Sequence, residues 1–133
     1  MKQFVKQFQH NESFYESLCI NHADHYYDWK ITCLFYAGFH LIKALASHRK
    51  VDIGNNHTEI FRNITPKNPN RILKIKDDIF HAYDVLFEYS RTARYDGFTD
   101  FDTFQIMKKS DLVDALRRFN YIKKYILEQG IIV

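Results

Sequence analysis

Between Ile31 and Leu45, apolar residues return every three or four positions, as Ile31, Leu34, Phe35, Gly38, Leu41, Ile42 and Leu45. Only an α-helix gathers such positions on one face, because its side chains repeat every 3.6 residues. A second stripe of Trp29, Cys33, Tyr36 and His40 runs beside the first. A helix with two such stripes must be covered on two sides, so the segment from about Asp24 to His48 is predicted to be the central helix of a bundle. Asp24 is its expected N-cap.

The rest of the chain arranges itself around this helix. A first helix is predicted from Lys2 to Asn21, carrying Phe4, Val5, Phe8, Phe14, Tyr15 and Leu18. Residues 50–70 form a long connection that opens with the turn chemistry of Asp52-Ile53-Gly54-Asn55-Asn56. Within it Asn56 is placed to cap a short helix, with Glu59 reaching back. Ile60 and Ile64 would pin that helix to the bundle, and Pro66 and Pro69 end it. A third long helix is predicted from about Asn70 to Arg94, with Ile72, Ile75, Ile79, Tyr83, Leu86 and Ser90 on one face. The segment from Asp96 to Thr103 reads as a loop, unusually aromatic, with Tyr95, Phe98, Phe101 and Phe104 in or beside it. The last helix starts at Ser110 or Asp111 and uses Leu112, Leu116, Phe119, Ile122 and Ile126.

With only 4 Gly and 2 Pro among 133 residues, the many tight turns of an all-β fold are out of reach. The expectation is an all-α single domain over residues 1–133, an up-and-down bundle of four to five helices. Its core material is ample at 46% apolar residues, enough for a domain that buries roughly two-thirds of its unfolded surface.

Composition also narrows the function. A net charge of +3 is mildly basic, a weak pointer to a polyanion. Cys19 and Cys33 lack metal-ligand spacing and sit in apolar helical patterns, so they read as buried thiols. His22 and His25 are three apart without a convincing third ligand nearby, so no metal site is expected. There is no Gly-rich phosphate loop, no nucleophile elbow and no Cys-x-x-Cys, and no cofactor is expected. No run is long and apolar enough to span a bilayer, and the N-terminus lacks a secretory core. A cytoplasmic protein with no membrane partner is the expectation.

Three segments, in order, resemble the HEPN superfamily. The first runs from Asp28 to His40 and on through Lys43-Ala44-Leu45, with the pattern Phe-Tyr-x-x-x-His at Phe35, Tyr36 and His40. The second is His57-Thr58-Glu59-Ile60-Phe61-Arg62, and the third is Tyr83, Leu86 and then Ser90-Arg91-Thr92-Ala93-Arg94-Tyr95. The resemblance covers roughly residues 15 to 125. It implies a bundle of four or five helices, often a homodimer, with links to RNA, nucleotides and defence systems. A toxin–antitoxin role, with an antitoxin or nucleotidyltransferase partner, belongs to the same implication. Many members are metal-independent ribonucleases whose signature is an Arg followed after four to six residues by a His. This chain lacks that spacing: seven residues separate Arg49 from His57, and no His follows Arg91 or Arg94.

The candidate residues are therefore weighed singly. Tyr36 and His40 share a helix face, so His40 is either a core histidine or a proton-transfer group. His57 and Arg62 are either ordinary furniture of a capped turn or part of a site. Arg91 and Arg94, three apart at a helix end, suit both the C-terminal dipole and a phosphate. Tyr95 could stack on a base or cover a core edge. If the second and third long helices are antiparallel, Arg94 and Tyr95 should lie near Tyr27, Asp28 and Trp29, where Asp28 could neutralise an arginine. Three functions remain open: a module binding RNA or nucleotide through Tyr36, His40, Arg62, Arg91, Arg94 and Tyr95; a metal-independent ribonuclease assembled in space from His40 or His57 with Arg91 or Arg94; and a dimerisation domain without a ligand.

Overall fold

The structure, a computed structural model, describes residues 1–95 and 100–133, with Tyr95 described in its backbone alone. Phe98 and the side chain of Tyr95, both singled out by sequence, lie outside the described residues. Five helices follow one another: α1 (Lys2–Asn21), α2 (Tyr27–His48), α3 (His57–Ile64), α4 (Asp77–Tyr95) and α5 (Phe101–Glu128). No strand occurs among the described residues. The expected all-α bundle is what forms.

The doubly striped helix is the central one, although of its second stripe only Cys33 is buried and Trp29 and Tyr36 face solvent. α2 packs against α1, α4 and α5, and Ile31, Leu41, Ile42 and Leu45 are wholly buried. Gly38 sits where α4 and α5 converge on α2: a Cβ there would lie 3.4 Å from Leu86 Cδ1 and 3.8 Å from Ile122 Cδ1. α1 adds Phe8, fully buried and stacked on Phe119 at 6.1 Å, and Glu12, paired with Lys123 at 2.8 Å. Cys33 is buried and Cys19 half-buried, both as free thiols. Burial, with Cys19 close by, pushes the Cys33 thiol up to about 11, which leaves it inert.

α2 begins at Tyr27, not at Asp24. Tyr26 takes the N-cap position with a left-handed backbone, φ 60. The turn before it is held from inside the bundle, where buried Lys30 donates from Nζ to the carbonyls of His22 at 2.7 Å and Ala23 at 3.1 Å. The end of α1 is thus capped by an ammonium from the next helix, a long-range contact invisible to local sequence.

The short helix α3 forms as expected. Asn56 Oδ1 accepts from the Glu59 N–H at 2.9 Å and Asn56 Nδ2 donates to Glu59 Oε1 at 2.6 Å, a side-chain variant of the capping box. Ile60 and Ile64 are fully buried. The loop before it is stapled by Lys43, whose Nζ donates to the Gly54 carbonyl and to Asn55 Oδ1.

Two helix starts differ from expectation. α4 begins at Asp77, not Asn70, because residues 71–76 form an irregular arm that bends at Ile72 and Leu73. Leu73 and Ile75 are buried there, two apart, and the Ile72 and Leu73 N–H groups both donate to the Asn63 carbonyl at 3.0 Å. α5 begins at Phe101, well before Ser110 or Asp111. Asp100 caps it, accepting from the Asp102 N–H at 3.0 Å and the Thr103 hydroxyl at 2.7 Å. The 28 residues of α5 span about 42 Å. Its first half is tied to α4 by buried Lys108, which donates to Thr92 Oγ1 at 2.6 Å and pairs with Asp111 at 3.2 Å. Phe104 folds into the bundle, whereas Phe101 stays largely exposed.

Candidate functional site

His57 is the first residue of α3, directly after the Asn56 cap. The capped turn aims its ring at α4. There Nδ1 meets the hydroxyl of Tyr83 at 2.9 Å, and the ring lies flat on Phe87, with centroids 3.4 Å apart and planes 5° from parallel. Phe35 of α2 closes the third side at 5.9 Å. Tyr83 and Phe87 are four apart and so share one face of α4. Tyr83 is fully buried, and burial pushes its phenol well above the ordinary range, so it stays protonated.

Arg94 enters from the end of α4. Its guanidinium carbon lies 5.3 Å from the Tyr36 ring centre and 5.6 Å from that of Phe35, a cation over two aromatic faces. The same residue acts on His57. Burial first, and then the charge of Arg94, push the His57 imidazole down to about 4, while Glu88 pulls weakly the other way. His57 is therefore neutral at physiological pH, and Nε2 has no hydrogen-bond partner among the described residues. A neutral imidazole and a half-buried guanidinium thus sit together over a floor of aromatic rings.

The remaining candidates fall around or away from this group. Tyr36 belongs to it and is 40% exposed. Arg91 lies one turn before Arg94 and forms a surface ion pair with Glu88 through Nε at 3.1 Å and Nη2 at 3.0 Å. Such an exposed pair on one helix is worth little and opens readily. Arg62 is exposed in the last turn of α3, about 140° around that helix from His57. His40 is turned to α1: its Nδ1 lies 2.8 Å from the Tyr36 carbonyl and 3.4 Å from Asn11 Nδ2. Burial holds its pKa below the usual imidazole range, against the opposing pull of the Tyr36 carbonyl.

Arg94 lies over Phe35 and Tyr36, roughly two turns further along α2 than the expected Tyr27–Trp29 neighbourhood. Asp28 instead lines a separate cleft with Trp29. The aromatic floor of Phe35, Tyr83 and Phe87, and the nearby Glu88, were not legible as site residues. Phe35 and Tyr83 stand in the segments that carry the HEPN resemblance, but read there as core residues. No group of three metal-ligating side chains occurs among the described residues, and no described helix is long and apolar enough to cross a membrane. Comparison with protein-family models, curated proteins and solved structures returns no match, so function must be argued from this geometry.

Proposed function

We propose that the chain is a HEPN-like helical module that binds RNA or a nucleotide by its phosphate groups, on the face where α3 and α4 bring His57 beside Arg94. The observation that carries this reading is the Arg94 guanidinium, seated over Phe35 and Tyr36 and near enough to His57 to depress its pKa. A guanidinium matches phosphate oxygens in charge and geometry. The neutral Nε2 of His57 adds a hydrogen bond, and the exposed Tyr36 ring offers a face for a base. Arg91 adds positive charge one turn before Arg94. Homodimerisation, and an antitoxin or nucleotidyltransferase partner, extend the same proposal.

A second reading, a metal-independent ribonuclease, is favoured by one observation: a neutral imidazole stands beside a cation without the usual Arg–His spacing in sequence. In that chemistry the imidazole takes a proton from the attacking hydroxyl and the guanidinium stabilises the pentacoordinate phosphorus. The return proton needs a second group. His40, the other candidate imidazole, is engaged on the α1 side, which is why binding ranks ahead of cleavage.

One experiment separates the two. Wild type, His57→Gln and Arg91→Ala/Arg94→Ala are incubated with mixed RNA in chelator, and binding is followed across a salt series. Binding that falls steeply with salt, weakened about tenfold or more in the arginine variant, is the expected outcome. Absence of binding at low salt sinks the proposal. Cleavage by wild type that His57→Gln abolishes would replace it with the ribonuclease reading.

A further inference from the structure

Away from the His57 face, the α1–α2 turn and the first turns of α5 enclose a cleft of about 660 Å³. Its wall includes two large rings in water, Trp29 at 56% and Tyr26 at 47% exposure, with Ile106 facing them from α5. Tyr26 is held there in a left-handed backbone, φ 60, a conformation that costs a residue with a side chain about 1 kcal/mol. The edge of the His22 ring meets it at 4.9 Å. A chain that folds at this cost to keep an aromatic ring in solvent has a surface suited to a partner.

The charge around these rings says which partner. Asp24, Asp28 and Asp102 line the cleft, and none of the three forms a salt bridge among the described residues. The nearby lysines do not neutralise them. Lys30 spends its ammonium on the His22 and Ala23 carbonyls inside the fold, and Lys109 faces the Tyr27 ring at 6.0 Å. In a protein of net charge +3, this is a locally anionic cleft with aromatic walls. A phosphate backbone is repelled from it. A guanidinium satisfies both features at once, because it stacks on Trp and Tyr faces and forks into carboxylates.

We propose that this cleft docks an arginine-bearing segment of a protein partner. The proposal does not rest on the function assigned to the His57 face, which is built on Phe35, Tyr36, Tyr83 and Phe87.

Trp29 is the only tryptophan in the chain, so its fluorescence reports on the cleft alone. The full chain is titrated with a Gly-Arg repeat peptide, and with a Gly-Glu repeat and spermine as comparisons. A saturable change with the arginine peptide only is expected, weakened about tenfold or more in Asp24→Asn/Asp28→Asn. Asp24 is exposed and Asp28 half-buried, and an unchanged circular dichroism spectrum and melting temperature will show that the variant folds. No saturable change, equal binding by the variant, or spermine binding as tightly as the peptide would each overturn the proposal. So would a Trp29 signal that tracks protein concentration without peptide and vanishes in the variant, because the occupant would then be a second copy of this chain.

Discussion

His57 shows how one residue acquires its chemistry from neighbours that local sequence does not connect to it. In the unfolded chain its imidazole titrates near 6.5. In the fold, burial against Phe87 and Tyr83, and then the Arg94 charge, bring it down to about 4. An NMR titration of the His57 ring protons should place the midpoint near 4 in wild type. In Arg94→Gln, loss of the cation should move it up toward the ordinary value while burial keeps it below. A midpoint unmoved by that substitution would mean that Arg94 does not act on the imidazole. This pairing was only half legible in the sequence. His57 and Arg94 both stood out by residue type, and a spatially assembled His–Arg site was among the options. Which histidine would join the arginine was not readable, because the helix phase and length that bring α3 to the end of α4 are set by tertiary packing. His40 looked equally suitable, yet it faces Asn11 because it lies on the side of α2 covered by α1.

Elements read best where one signal dominates. α1 spans Lys2–Asn21 as expected, and α2 is central because its first apolar stripe is buried; of the second stripe only Cys33 is buried, while Trp29 and Tyr36 stay exposed. α3 was legible from its cap alone. The starts of α4 and α5 were not. Ile72, Ile75 and Ile79 fit a helical period, yet Leu73 and Ile75 are buried two apart, and hydrogen bonds from the Ile72 and Leu73 N–H groups to the Asn63 carbonyl tie that arm to α3 instead. At α5 the Gly- and Asp-containing stretch read as a loop, although Asp100-Phe101-Asp102-Thr103 is an N-cap with its first turn. The connection between α2 and α3 makes a sharper test of how elements are joined. Gly54 has φ 100, and a Cβ there would sit 2.4 Å from Glu59 Cβ. Gly54→Ala therefore combines backbone strain with a collision against the α3 capping residue, and should cost about 1–3 kcal/mol in urea unfolding. Gly130→Ala is the control: its φ is 86, but a Cβ meets nothing within 4 Å, so strain alone should cost about 1 kcal/mol. Equal losses at the two sites would show that the Glu59 contact relaxes freely.

At the scale of the whole molecule, two half-buried imidazoles couple the fold to pH in a window of their own. His57 and His40 both have folded pKa values below the unfolded 6.5. Below pH 6.5 the unfolded chain takes up protons at these positions before the folded chain does, so acid favours unfolding. Their contribution is fully present above about 6.5 and is lost as pH falls, for His57 down to about 4. Carboxylates held low by hydrogen bonds, Asp78 by the Tyr121 hydroxyl and Asp100 by Thr103, lose their contribution only below the ordinary carboxylate range. Asp84 works the other way: burial first, and then Glu88, raise its pKa, so protonation there favours the folded state as acid is added. The melting temperature should consequently begin to fall near pH 6.5, well before the carboxylates titrate. The measurement is a series of thermal melts from pH 7.5 to 4 on wild type, His57→Gln and His40→Gln. Gln can still offer a hydrogen bond to Tyr83 or Asn11 and does not titrate. Each variant should flatten the slope between pH 6.5 and 4, His57→Gln down to the lower end of that window. A wild-type melting temperature level down to pH 5 would show that these imidazoles protonate without opposing the fold. The His57–Arg94 face would then be far more hydrated than its packing against Phe87 implies, and the fixed, neutral imidazole on which the proposed phosphate contact relies would go with it.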